Sequence, residues 1–438
     1  MTDLTKAAQA RLDSYFERIG NQLDTDSQRA SFATYALGIL SDAERKSVEP
    51  LAARSAAEPD RTDAEHQRLL HFLAEAKWDD HAVRLDAAKL ALGAITAREQ
   101  VEAWIVDDTG FLKQGTHSVG VQRQYTGSAG KITNCQVGVC LALATRTEQL
   151  PVDFELYLPT SWSDDPKRRK EGRIPDQVKF QSKPELALQM IRRAVDADLA
   201  RGVVLADAGY GSSADFRRGL RDLRLDYAVA VNAETKVKLL GPDGRVRGNR
   251  RSLKGIAQML AKRGAFKRCT WREGTKKELW ANFATYKVQV SPSEVALLLI
   301  EWRDREIEPA NYFLVSMPPL PSLVQLVRLV MQRWRIERAF EDLKGELGLD
   351  HYEGRRWPGW HHHVSVVLCC YAFVVAERAR RFPPSAAGPV ADPTECGEAG
   401  APLPGQLHLC PTCARQSHLE VAPEVPELPS TSEGVMTQ

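Results

Sequence analysis

Two separated apolar runs constrain this chain more than anything else in it: AWIVDDTGF from Ala103 and VVLADAGYG from Val203. Each is short, lacks polar alternation and ends in aspartate with a glycine two residues on, the pattern of a buried strand that delivers an acid to its end. Such strands need helices on both faces of their sheet. The neighbouring stretches supply them. SVGVQRQYTGS, NCQVGVCLALAT and DFELYLP follow the first run around the turn-forming GSAGK and read as antiparallel strands beside it. PELALQMIRRAVDADLARG and ADFRRGLRDLRLD are amphipathic helices flanking the second run, and YAVAVN is a further strand. Strands first, then alternating helix and strand, predict a mixed α/β (α+β) sheet covered by helices.

Residues 1–96 carry no strand pattern. LDSYFERIGNQL, RASFATYALGIL and AEHQRLLHFLAEAKW have helical periods, and Ser41 with Glu44 three residues on predicts a capping-box start to another helix. A helical N-terminal domain suits DNA-end binding or dimerisation.

A third informative stretch runs from Val330 to Trp357. Ile336, Phe340, Leu343 and Leu347 recur at steps of four, three and four, which predicts one helix with a buried stripe. Arg333, Glu337 and Lys344 project from nearly the same side of it, so a carboxylate close to the stripe is held between two cations. The plain alternative is a solvated helix face laced with ion pairs.

Two strand ends with aspartate and a late helix with glutamate make three carboxylates that repel one another when brought together. Divalent cations relieve that repulsion, and hard oxygen ligands suit Mg²⁺ or Mn²⁺. Two such ions in one site support in-line attack on a phosphodiester. Aspartate after a strand is also a common turn or N-cap residue, so the triplet carries the reading and no single acid does.

Net charge is only +2, but it is unevenly spread. Asn232 to Trp280 holds fourteen Lys and Arg against four acids, which leaves the rest of the chain acidic. A block this basic predicts a polyanionic partner, the alternative being a solvated basic face. No run of eighteen apolar residues and no signal-peptide core occur, which predicts a cytoplasmic protein without a membrane partner. The eight cysteines are sparse for 438 residues, and Cys135, Cys140, Cys369 and Cys370 sit in apolar context, which predicts reduced, buried thiols.

DDTGFLKQGTHSVGVQRQYTGSAGKITNCQVGV, VVLADAGYG and RWRIERAFEDLKGELGLDHYEGRRW resemble the DDE transposases of bacterial insertion sequences, specifically the IS701-like group related to the IS4 family, over roughly residues 30–380. The resemblance implies an RNase H-like catalytic domain in two parts, 97–231 and 311–381, with a β-rich insertion at 232–310. The basic block falls inside that insertion. It also implies a metal-dependent endonuclease and strand transferase with two Mg²⁺ or Mn²⁺ ions, acting on double-stranded DNA in the nucleoid as a homodimer. By position, Asp207 is the second acid and Glu337 the third. The first is Asp107 or Asp108. Neighbours on a strand face opposite sides, so only one joins the cluster, and the family's Asp-x-Thr pattern favours Asp107 with Thr109. Metal ligands are thus Asp107, Asp207 and Glu337. The family's Tyr-Arg-Glu-Lys signature maps onto Arg333, Glu337 and Lys344 and selects Glu337 over Glu341, with Val330 in the tyrosine position. It makes Arg333 and Lys344 DNA ligands, joined by Arg250, Arg251 and Lys254 of the basic block.

Other motifs invite different readings. His361, His362 and His363 point in three directions on a helix, which predicts a surface or DNA-facing cluster rather than a metal site. Cys410 and Cys413 lie in LHLCPTCARQSH without a second paired set at finger spacing. Residues 382–438 are rich in Pro, Gly, Ser, Glu and Ala with no apolar period, which predicts a disordered tail. That tail is unlike the family's usual helical ending. A catalytically silent DNA-binding protein derived from a transposase is therefore the alternative to an active enzyme.

Overall fold

The computed structural model describes residues 3–273 and 278–381, so the Cys410/Cys413 segment and the tail lie outside the described residues. The N-terminal part is helical: α1 (Asp3–Gly20), α2 (Asp26–Leu40), α3 (Val48–Ser55), α4 (Thr62–Ala74) and α5 (Asp80–Thr96). Thr25 caps α2 in a capping box with Gln28. The helix expected to start at Ser41 does not form there. Ser41 instead ends α2, its hydroxyl returning a hydrogen bond to Gly38, and α3 begins only after Ser47. The carbonyls of Ile39, Ser41 and Glu346 converge on the Lys46 ammonium, which holds this stretch as a loop.

The chain then enters β1 (Ala103–Leu112), β2 (Gln122–Thr126), β3 (Lys131–Ala144) and β4 (Gln149–Leu156). Three helices follow: α6 (Thr160–Ser163), α7 (Pro166–Gly172) and α8 (Lys183–Asp196). β5 (Val203–Ala206), α9 (Ala208–Gly211), α10 (Ala214–Asp222) and β6 (Tyr227–Ala230) complete the alternation. β1 lies between β3, antiparallel, and β5, parallel, and its first four residues are buried. That is the both-faces burial its unbroken apolar start demanded.

The basic region forms β7 (Lys236–Leu240), β8 (Val246–Ser252), α11 (Leu253–Lys262), β9 (Lys267–Glu273), β10 (Glu278–Ser291) and β11 (Glu294–Trp302), followed by β12 (Asn311–Ser316). It is β-rich, and it does not hang off the sheet as a separate layer. Among the described residues twelve strands form one sheet in the order β2-β3-β1-β5-β6-β12-β11-β10-β7-β8, with β4 on β3 and β9 on β10. This mixed sheet with flanking helices is consistent with the RNase H-like fold expected from the motifs.

The final elements are α12 (Leu323–Val330), a tight turn at Met331–Arg333, α13 (Trp334–Gly345) and α14 (Trp357–Arg381). The helix expected to carry the stripe from Ile336 to Leu347 ends earlier, at Gly345. Leu347 is buried as the stripe anticipated, but from the loop after α13, where Gly348 takes a positive φ of 65°. α14 packs on α5, β4, α2 and α4. It is long and apolar enough to cross a membrane, yet 89% of its apolar window is buried inside the fold, as for a core helix. Cys135, Cys140, Cys369 and Cys370 are free and buried, as expected, and so is Cys269.

Burial of α14 on all sides corrects the reading of its histidines. His361, His362 and His363 are core residues, at most 4% exposed. Each direction of the helix meets a different partner: Trp357 carbonyl for His361, Leu73 carbonyl and the stacked Trp78 ring for His362, and Tyr35 hydroxyl for His363. Burial lowers the pKa of both His362 and His363 from the ordinary 6.5 to about 4. The unfolded chain therefore takes up these protons near pH 6.5 and the folded chain only near 4. Their contribution is full above 6.5 and falls as pH drops towards 4, by about 2 kcal/mol per histidine at pH 5. Denaturant unfolding at pH 8 and pH 5 checks this, and His363→Gln should flatten the pH dependence by about that amount.

Candidate active site at the paired strands β1 and β5

The register places two of the expected acids side by side. Val106 on β1 pairs with Ala206 on parallel β5, and the next residues in each strand direction are Asp107 and Asp207. Asp207 caps α9, accepting from the backbone N–H of Gly209 at 2.9 Å and Tyr210 at 3.3 Å through Oδ1. This cap orients the carboxylate at the strand end.

Asp107 and Asp108 face opposite ways, as alternation requires. Asp108 Oδ2 accepts from Lys183 Nζ at 3.1 Å, at the start of α8, and from the buried Tyr210 hydroxyl at 3.0 Å. Asp107 Oδ2 is bound by Arg333 Nη1. The other nitrogen of the same guanidinium, Nη2, donates to Glu337 Oε1 at 3.0 Å. One arginine therefore bridges the strand acid and the helix acid, while Asp108 is anchored to α8 and α9.

Glu337 is more exposed than expected from a place near the apolar stripe, with 56% of its side chain accessible. Lys344 does not flank it. Its ammonium donates to Gly110 carbonyl at 2.7 Å and Ser128 Oγ at 3.2 Å. Ser128 lies in the turn joining β2 and β3, and its hydroxyl also meets Thr109 Oγ1 at 3.0 Å. The hairpin tip therefore folds back over β1. Gly110 permits this, since a Cβ there would lie 2.0 Å from Thr126 Oγ1.

Burial pushes the Asp107 carboxyl up to about 7, with Arg333 opposing and the negative charge of Asp207 adding to the rise. A buried carboxyl that resists ionisation even against a guanidinium is one that a stronger cation would ionise. Asp107, Asp207 and Glu337 are all hard oxygen donors, a chemistry that suits a divalent ion. They are spread wider than a single-ion cluster. The described acid and histidine groupings with all donor atoms within 4.8 Å are Asp79/Asp80/His81 and His81/Asp153/Glu155. The second grouping is already neutralised. The 1%-exposed Arg84 side chain reaches Asp80, Asp153 at 3.1 Å and Glu155 at 3.6 Å, and Arg193 binds Asp153 and Glu155 at 2.7 Å each. Burial would raise Glu155, but His361, His81 and Arg193 hold it well below the usual carboxylate range.

The basic block divides between internal and outward roles. Arg250 donates to the Lys236 and Val290 carbonyls, Arg251 rests against Met259 sulfur, and Lys254 pairs with Glu308 at 2.5 Å. Two contacts were not anticipated. Arg272 stacks over the Trp334 ring at 4.1 Å, tying β9 to the start of α13, and Arg268 stacks over Trp280 at 3.8 Å. Lys183, Tyr210 and Ser128 were also missed. The tyrosine in DAGYG was the one visible signal, because it follows the acid on the same turn.

The comparisons agree with the motifs. The family described as DDE superfamily endonuclease matches residues 18–278, which includes Asp107, Asp108 and Asp207 and stops before Glu337. The chain is similar to a probable transposase for insertion sequence element IS701 from Microchaete diplosiphon, 29% identical over 211 residues. That alignment covers 48% of this chain and 50% of the relative, so the chain spans about half the length of the curated relative it matches. The IS701-like resemblance is borne out, and with more than half of its length matched the chain belongs to the DDE superfamily endonucleases.

Proposed function

We propose that the chain is an insertion-sequence transposase that binds the terminal inverted repeats of its element, cleaves there and joins the 3′ ends to target DNA. The observation that carries this reading is the Arg333 bridge between Asp107 and Glu337, beside the β1/β5 register that puts Asp207 next to Asp107. Both observations support a shared site for three acids from distant parts of the chain at the β1/β5 pair.

Asp107, Asp207 and Glu337 would hold two divalent ions, Mg²⁺ or Mn²⁺, whose chemistry there would be activation of the attacking oxygen and stabilisation of the leaving one. The protein's share is placement. The α9 cap fixes Asp207, and the Lys183 and Tyr210 anchors on Asp108 fix the middle of β1, from which Asp107 projects. Arg333 and Lys344 bind backbone phosphates near the cut, and exposed cations of the 232–310 insertion, Arg251 among them, bind phosphates farther along. Arg250 and Lys254, held at the surface by the Val290 carbonyl and Glu308, add to those phosphate contacts. Paired ends require a homodimer on DNA, in which residues 1–96 bind ends or dimerise, 97–231 and 311–381 carry catalysis, and the protein works at the nucleoid.

Labelled element ends incubated with Mn²⁺ test the reading. Wild type should cleave, and Asp207→Ala and Glu337→Ala should bind the ends without cutting. Binding without cleavage by wild type would instead establish the silent DNA-binding alternative.

A further inference from the structure

The cation position between Asp107 and Glu337 is filled by the protein itself. Arg333 Nη1 contacts Asp107, Nη2 lies 3.0 Å from Glu337 Oε1, and a third of the side chain remains open to solvent. Its backbone is in the turn that leads into α13, and that helix start is pinned by the Arg272 stack on Trp334 and by Arg335 on the Thr147 carbonyl at 3.2 Å. The guanidinium therefore reaches the acids from a fixed base. Asp108 contrasts with this, since its lysine and tyrosine partners lie on the other side of the strand.

The two terminal nitrogens that engage the carboxylates are the same donors that grip a phosphate in a bidentate pair, so engaging one weakens the hold on the other. While it bridges the acids it repels any divalent ion entering between them. We propose that Arg333 is a latch: it occupies the ion position until a backbone phosphate draws it away, so that DNA and divalent ion bind with positive coupling. This rests on the reading above that Asp107, Asp207 and Glu337 hold the ions. Linkage makes the coupling reciprocal, so DNA tightens ion binding by the same factor that the ion tightens DNA binding. The free protein is then kept from loading metal, and cutting competence, before it meets a strand.

Mn²⁺ binding to the full chain, read from the free-ion electron paramagnetic resonance signal with and without a short duplex oligonucleotide, tests the latch. For wild type the duplex should tighten Mn²⁺ about tenfold or more. Arg333→Gln should bind Mn²⁺ about tenfold more tightly than wild type without DNA, and the duplex should add little. Arg333→Lys, which keeps the charge but not the fork, should fall between them. A merely structural arginine would not raise ion affinity on removal. Unchanged or weakened Mn²⁺ binding in Arg333→Gln, with Asp207→Ala abolishing it, overturns the latch and leaves the metal site intact. Mn²⁺ binding that survives Asp207→Ala and Glu337→Ala overturns the site reading, and the latch with it.

Discussion

Asp107→Asn is expected to lower end cleavage by at least about a thousandfold, or about 4 kcal/mol of barrier, while Asp108→Asn keeps cleavage within about tenfold of wild type. The two residues are neighbours of identical chemistry, so the contrast isolates direction. Asp107 faces Arg333 and the Asp207 charge, whereas Asp108 is held by Lys183 and Tyr210. Asparagine at 108 still accepts from the Tyr210 hydroxyl and loses only the charge opposite a partly exposed lysine, so its cost falls on stability. Cleavage of labelled ends, set beside thermal unfolding of both variants, separates the effects. Equal losses of cleavage in both would place the doublet's functional member wrongly.

The second large effect is on folding. Arg84→Met removes the one buried cation shared by Asp80, Asp153 and Glu155, and is expected to cost about 3–5 kcal/mol. Three acids would remain in the junction of α5, β4 and α14 with only Arg193 and two histidines to balance them. The exposed pair Arg54–Asp42 is the control, with side chains 53% and 87% accessible, and Arg54→Ala should cost less than about 1 kcal/mol. Urea unfolding reads both. The comparison asks whether the helical N-terminal part is locked to the sheet by this network, since Asp80, His81 and Arg84 come from the former and Asp153 and Glu155 from the latter.

The strands that carry Asp107 and Asp207 were legible because an unbroken apolar run leaves few alternatives to a doubly covered strand. The choice within the Asp107/Asp108 doublet was half legible. Alternation says that only one faces the cluster, but the partner that turns Asp108 away, Lys183, is 75 residues distant and on another element. The stripe misled only at its last member, for a physical reason: an apolar period reports burial, and Leu347 is buried in a loop as readily as on a helix. The three histidines misled because polarity suggests exposure, while a helix enclosed on every side needs only one acceptor for each ring. Charge density located the basic segment but not its division of labour, since Arg250 satisfies backbone carbonyls that no composition count reveals.

The continuity of the sheet has a consequence for scale. From β1 to β10 the hydrogen-bonded order takes five steps, through β5, β6, β12 and β11. At about 4.8 Å for each step β10 stands roughly 24 Å from β1 along this ladder, while the Arg272 stack on Trp334 brings the basic strand β9 back against the helix that carries Glu337. On the proposed function that ladder is a ruler. It keeps β9 and its cations in register with the acids, so a duplex that meets both must adapt by bending rather than by shifting the strands.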